Sequence, residues 1–160
     1  MVMFPLFSFP VDMSVPPRIL DGDSIMVSLD RGWSDTKFAN LRLYGINAPE
    51  TRTKKKCEKE AGLLVKEVVE VWYNYYWENG YDFVVTSLEK GKYYGRFIGE
   101  FFAVKDDRMF SLVAFLLYYD LVDHYDGGKR ASFSAERCKA IIDAATMVLN
   151  ERENLVQFSN

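Results

Sequence analysis

Between Ile25 and Leu29 the apolar residues Ile25, Val27 and Leu29 alternate with Met26 and Ser28, the period of a strand with one buried face. Lys37 to Tyr44 repeats the pattern, with Leu41 and Leu43 on one side and Arg42 and Tyr44 on the other. Arg31-Gly32-Trp33-Ser34-Asp35 between them reads as a turn, as does Asp21-Gly22-Asp23 ahead of the first strand. From Lys54 to Asn79 the period changes. Ala61, Leu64, Val65, Val68, Trp72, Tyr75 and Tyr76 recur at three- and four-residue intervals, which predicts a long helix stopped at Gly80. Tyr81 to Ser87 and Lys92 to Val104 read as two further strands, joined by a turn at Leu88 to Gly91. After a turn at Asp106-Asp107-Arg108, a short apolar helix is predicted over Ser111 to Leu121. A last helix over Arg137 to Leu149 follows a Ser132 or Ser134 cap and turns Cys138, Ile141, Ile142, Ala145, Val148 and Leu149 inward.

Strands, a helix, strands and two helices make an α+β pattern, compatible with a small closed β-barrel carrying packed helices. Pro5, Pro10, Pro16 and Pro17 make residues 1–18 an extended lead-in, so the expected organisation is one domain over 19–150 and a tail over 151–160. A chain of 160 residues suits that, and 49% hydrophobic with 27% charged residues is ordinary for a soluble globular protein. The aromatic content of 16% is high, and most of those rings are assigned to the core. Some on the Trp72 to Trp77 segment, including Tyr73, are candidates for exposure at a partner surface.

Charge narrows the function. A net charge of −3 argues against a protein that coats nucleic acid over its whole surface, since phosphate neutralisation dominates that kind of affinity. It leaves room for a local basic patch. Arg52, Lys54, Lys55 and Lys56 supply one, although such a run serves equally as a solvated helix start. The single histidine, His124, rules out a multi-histidine metal site, weakens any nucleophilic triad and reads as a loop residue. Cys57 and Cys138 lack metal-ligand spacing and are expected as reduced thiols. No apolar run is long enough to cross a membrane. Met1 to Phe9 is apolar, but it is broken by Pro5 and lacks the basic start of a secretory signal. The expected location is cytoplasmic, with a mature secreted form as the alternative.

The candidate chemistry lies in three short segments: Asp21-Gly22-Asp23-Ser24, Asn40 to Thr51, and Tyr94-Gly95-Arg96. Arg42 alternates with core positions on its strand, so its guanidinium must reach solvent, a carboxylate or a ligand. A planar fork that stays charged suits a phosphate, while a barrel salt bridge is the commoner use. Arg96 follows Gly95 at a strand start. Glu50, on a loop stiffened by Pro49, is placed to act as a general base or to neutralise the basic helix start. Asp21 and Asp23 flank a glycine, which is equally a turn and a pair of hard oxygen donors.

In order and spacing these segments resemble the micrococcal (staphylococcal, thermostable) nuclease family, over roughly Ile19 to Leu149. The resemblance implies a five-stranded OB-fold β-barrel with about three packed helices, of which the pattern alone shows four strands. It implies Arg42, Glu50 and Arg96 as catalytic residues. Ca²⁺ would be held by Asp23, Asn47 and the Ala48 carbonyl, with Asp21 outside them. That family usually has an aspartate where Asn47 stands. A dipole in place of a charge predicts weaker metal binding and makes Mg²⁺ or Mn²⁺ possible. Tyr94, Tyr93 and Tyr125 would contact substrate, with Tyr93 falling where a lysine is typical. The implied activity is cleavage of DNA and RNA, single strands preferred, leaving 3′-phosphate ends, by a monomer with no membrane partner. The alternatives are a catalytically silent OB-fold that binds oligonucleotides, and a protein-interaction domain that reuses the fold.

Overall fold

Each long element follows its hydrophobic period, and the short ones are made by partners distant in sequence. A computed structural model describes residues 8–90 and 96–151. In chain order the elements are β1 (Ser8–Pro10), β2 (Arg18–Asp21), β3 (Ser24–Asp30), β4 (Thr36–Leu43), β5 (Ile46–Asn47), α1 (Lys56–Glu78), β6 (Asp82–Lys90) and β7 (Arg96–Lys105). They continue with β8 (Arg108–Ser111), α2 (Leu112–Tyr118), β9 (Asp123–His124) and α3 (Ala135–Asn150). The fold is mixed α+β.

The main sheet has seven strands in the order β1-β6-β7-β4-β3-β2, with β8 beside β7. Its β4–β7 pair is parallel and its other ladders are antiparallel. β5 and β9 form a separate two-stranded sheet. The strand path is open, where a closed five-stranded barrel was expected. Pro10 ends β1, and with no N–H it cannot extend the ladder. The chain then leans on β3 through an isolated Val11–Leu29 bridge, the Asp12 N–H donated to the Ser28 carbonyl at 2.7 Å and the Ser28 hydroxyl donated to the Asp12 carboxylate at 3.4 Å. Three other expectations are corrected. Part of the lead-in is a strand of the sheet, and β6 runs through Lys90 instead of turning at Leu88, with a bulge between Ser87 and Glu89. His124, expected in a loop, pairs with Ile46 in β9.

Ile25, Val27, Leu29, Ala39, Leu41 and Leu43 cover the inner face of β3 and β4, and α1 lays Ala61, Val65, Val68, Trp72 and Tyr76 in the same core. The rings are largely interior, as expected. Phe83 and Phe101 stack at 5.1 Å, with Trp72 tilted against both. Along the Trp72–Trp77 turn, Trp72 and Tyr76 are buried, Tyr73 and Tyr75 half-buried and Trp77 exposed. α2 and α3 start at Ser111 and Ser134, whose hydroxyls accept the Ala114 and Arg137 N–H groups at 3.0 Å. Among the described residues no helix is long and apolar enough to cross a membrane.

Cys57 and Cys138 are free thiols packed together where α1 meets α3. Burial first, then the Cys57 thiol beside it, pushes the Cys138 pKa up to about 11. Iodoacetamide at pH 8 should therefore modify half-buried Cys57 well before Cys138, because the thiolate is the nucleophile. Equal rates in peptide mass spectra would contradict this packing.

Candidate functional site

The site begins with two close approaches to α1 that only glycine permits. A Cβ on Gly22, in the turn from β2 to β3, would lie 2.5 Å from Val65 Cγ1 and 3.1 Å from Ala48 Cβ. A Cβ on Gly62 within α1 would lie 2.7 Å from the Glu50 carbonyl oxygen and 2.8 Å from that of Pro49. Gly62 thus gives up helix propensity so that the loop bearing Glu50 can rest on the helix backbone. The same loop is tied at two adjacent residues. The Thr51 N–H and hydroxyl donate to Asp21, and the Glu50 N–H donates to the buried Glu58 carboxylate at 3.4 Å.

Gly62→Ala should gain about 1 kcal/mol of helix propensity and lose more to overpacking, about 1–3 kcal/mol, because the obstructing atoms are backbone. Urea denaturation should show a net loss of stability. A variant as stable as the parent would mean that the Glu50 loop does not sit on α1 in this way.

At the centre is Asp23, only 2% exposed. Its Oδ2 accepts the Ala48 N–H at 2.8 Å and forms ion pairs with Arg42 Nη1 and, at 3.3 Å, Arg130 Nη2. Arg42 projects from β4 away from Leu41 and Leu43, as its alternation predicted, yet it too is buried. Its Nη2 donates to the Ile46 carbonyl at 3.2 Å, and the Tyr125 ring lies 5.9 Å from its guanidinium carbon. Arg96 opens β7 opposite Asn40, so it shares the sheet face that carries Arg42. Burial lowers the Arg42 pKa, Asp23 opposes that shift, and the charges of Arg130 and Arg96 add to it. Two guanidinium groups thus share one buried carboxylate, and the charge of a third, Arg96, acts on Arg42.

Glu50 stands at the rim with its side chain 52% exposed, and its Oε1 is 3.4 Å from Arg130 Nη1. Asn47 Oδ1 accepts from Arg130 Nε at 2.8 Å, and Asn47 Nδ2 donates to the Ala131 carbonyl at 3.5 Å. Arg130 rides on a loop held at its base. β9 pairs with β5, the Tyr125 N–H donates to the Gly45 carbonyl at 2.9 Å, and Arg137 binds Asp120 and Asp123 at 2.8–3.0 Å. A cleft of about 240 Å³ is lined by Asn47, Glu50, Lys55, Glu58 and Arg130. A second, of about 530 Å³, shares Asn47 and Ala131 with it and is walled by His124, Tyr125 and Lys129.

The fold therefore brings Asp23, Arg42, Asn47, Ala48, Glu50 and Tyr125 together, with Arg96 close enough to act on Arg42 electrostatically. Asp21 is engaged with Thr51 instead. Tyr93 and Tyr94 lie outside the described residues. Arg130 and Glu58 were not anticipated. Glu58 had no distinguishing signal among the charges of α1, and Arg130 could have been suspected only from the Gly127-Gly128-Lys129-Arg130 loop.

The oxygens expected to hold a divalent cation do not fit one as arranged. Asp23 Oδ2 and Asn47 Oδ1 both accept from Arg130, and the Ala48 group aimed at Asp23 is its N–H. Among the described residues no group of three or more His, Cys, Asp or Glu side chains is placed to hold a metal ion. No protein-family model matches the chain, and the curated proteins contain no significant match to it.

Proposed function

We propose that this chain is a nuclease that hydrolyses phosphodiester bonds of DNA and RNA, acting as a monomer on single strands and leaving 3′-phosphate ends. The observation that carries the proposal is the exposed Glu50 carboxylate at the mouth of a cleft, beside a cluster of three arginines. Like charges held together lower one another's pKa and favour an anion between them. A phosphodiester is such an anion, and guanidinium matches its oxygens in pairs. The basic run at Lys54–Lys56 supports the reading. Cations at a helix N-terminus oppose the helix dipole by about 0.3–1 kcal/mol each, and a bound phosphate relieves that conflict. The Val11–Leu29 bridge supports an OB-type curl of the sheet. The cytoplasmic placement is carried over from the sequence.

In the proposed reaction Glu50 takes a proton from water as its oxygen attacks phosphorus. The arginines stabilise the added negative charge on the phosphoryl oxygens, and the bond from phosphorus to the 5′-oxygen breaks, that oxygen leaving as an alcohol after gaining a proton from solvent. Digestion of heat-denatured DNA and of RNA by the purified protein tests this, with Ca²⁺, Mg²⁺, Mn²⁺ or EDTA present and a Glu50→Gln control. Cutting that the control lacks supports the proposal. A silent oligonucleotide-binding domain is favoured by the pairing of Glu50 with Arg130, which holds the base in an ion pair. Tight binding of single-stranded DNA with no cutting under any condition would select that reading.

A further inference from the structure

One guanidinium reaches three oxygen-bearing side chains of the site, through three different nitrogens. Arg130 Nε meets Asn47 Oδ1 at 2.8 Å, Nη2 meets Asp23 Oδ2 at 3.3 Å and Nη1 meets Glu50 Oε1 at 3.4 Å. We propose that Arg130 is the resident cation of this site. It binds the side-chain oxygens of Asp23 and Asn47, two of the groups to which the resemblance would give a divalent ion, positions Glu50 and supplies positive charge to a bound phosphate. The site then needs no divalent metal. The catalytic part rests on the nuclease reading, whereas the occupation of the cation's place does not.

The identity of residue 47 follows from this arrangement. An amide accepts from Arg130 through Oδ1 while donating to the Ala131 carbonyl through Nδ2, so it grips two consecutive residues of the incoming loop. An aspartate accepts but cannot donate, and would turn a charge towards the Ala131 carbonyl. Charge points the same way. Ca²⁺ takes six to eight oxygens and binds more tightly as the ligands carry more negative charge. Here one buried carboxylate is already shared by two arginines. Asn47 and Arg130 thus form a matched pair, the amide lowering the site's demand for a doubly charged ion and the guanidinium meeting what remains. Arg130 is also placed to move onto a phosphate. Its side chain is 38% exposed and lines the cleft beside Glu50 and Lys55, whereas Arg42 is locked beneath it.

Two measurements on the full chain test the proposal separately from the nuclease reading. Isothermal titration with Ca²⁺ alone should give little or no binding to the parent protein. Binding should tighten by about tenfold or more in the Asn47→Asp, Arg130→Gln double variant, where a carboxylate is added and the competing cation removed. A parent that binds Ca²⁺ as tightly as the double variant overturns the proposal. Circular-dichroism melts verify folding, and Arg130→Lys, which keeps the charge but not the three-way reach, serves as the second variant.

Cleavage of heat-denatured DNA in EDTA should persist in the parent and fall about 10²-fold in Arg130→Gln, as for loss of one oxyanion donor, with Arg130→Lys in between. Cutting by the parent only when a divalent ion is added overturns the proposal. If the parent never cuts under any condition, the nuclease reading falls. The Ca²⁺ titration then decides alone whether Arg130 holds the cation's place.

Discussion

Glu50→Gln should lower cleavage of single-stranded DNA by about 10²–10⁴-fold, the usual contribution of a positioned general base, with little change in stability. The carboxylate is more than half exposed, and its ionic partner among the described residues, Arg130, is itself 38% exposed. An ion pair so open to water contributes at most about 1 kcal/mol. The loop is instead held by backbone groups that glutamine leaves intact: the Glu50 N–H on Glu58, the Thr51 N–H on Asp21, and the seat on Gly62. Activity and stability should therefore separate. The amide has the shape of the carboxylate and can still accept from Arg130, but it cannot take a proton from water. Single-turnover rates at saturating substrate, set beside urea denaturation of the same samples, check both halves. A variant that still cuts at a tenth of the parental rate would remove Glu50 from the role of base. Equal losses of rate and stability would make it a structural residue.

What could be read in advance depended on how far apart in the chain the interacting groups lie. The 23 residues of α1 were legible because every turn repeats the same apolar stripe, and its predicted bounds were two residues early and one residue late. β3 and β4 announced themselves by alternation. β5 and β9 have two residues each and no period to show, and they exist because Ile46 and Asn47 find His124 and Asp123 far along the chain. β1 was hidden by the prolines around it, which mark an extended segment without saying that β6 would pair with it. The site divides in the same way. Asp23, Arg42, Asn47 and Glu50 lie within 28 consecutive positions and could be grouped by spacing. Arg130 arrives from 80 residues beyond Glu50, in a Gly-Gly loop whose composition signals only a turn. The resemblance identified Asn47 as an oxygen ligand, but nothing in the sequence hinted at what the oxygen would meet.

Arg42→Ala should destabilise the fold by about 3 kcal/mol, and Asp23→Ala by more, towards the 5 kcal/mol end of the range for breaking a buried ion pair. The two are partners, yet their losses are unequal because their remaining neighbours differ. Without Arg42, Asp23 keeps the Ala48 N–H at 2.8 Å and Arg130 at 3.3 Å, so its charge stays partly compensated. Without Asp23, Arg42 keeps the Ile46 carbonyl at 3.2 Å and the face of Tyr125, while the charges of Arg130 and Arg96 now repel it with no carboxylate between. A buried arginine cannot relieve this by deprotonating near neutral pH. The order of the two variants in urea or thermal denaturation is therefore the informative result. Near-equal losses below about 1 kcal/mol would place the pair in water, as for surface pairs, against the 9% and 2% side-chain exposures of Arg42 and Asp23. A larger loss for Arg42→Ala than for Asp23→Ala would mean that Arg130 and Arg96 do not crowd the site. The inequality follows from two arginines sharing one carboxylate while the charge of a third, Arg96, acts on Arg42. That surplus of positive charge is stable only while Asp23 lies among the guanidinium groups, and it is what a phosphate entering the cleft would complete.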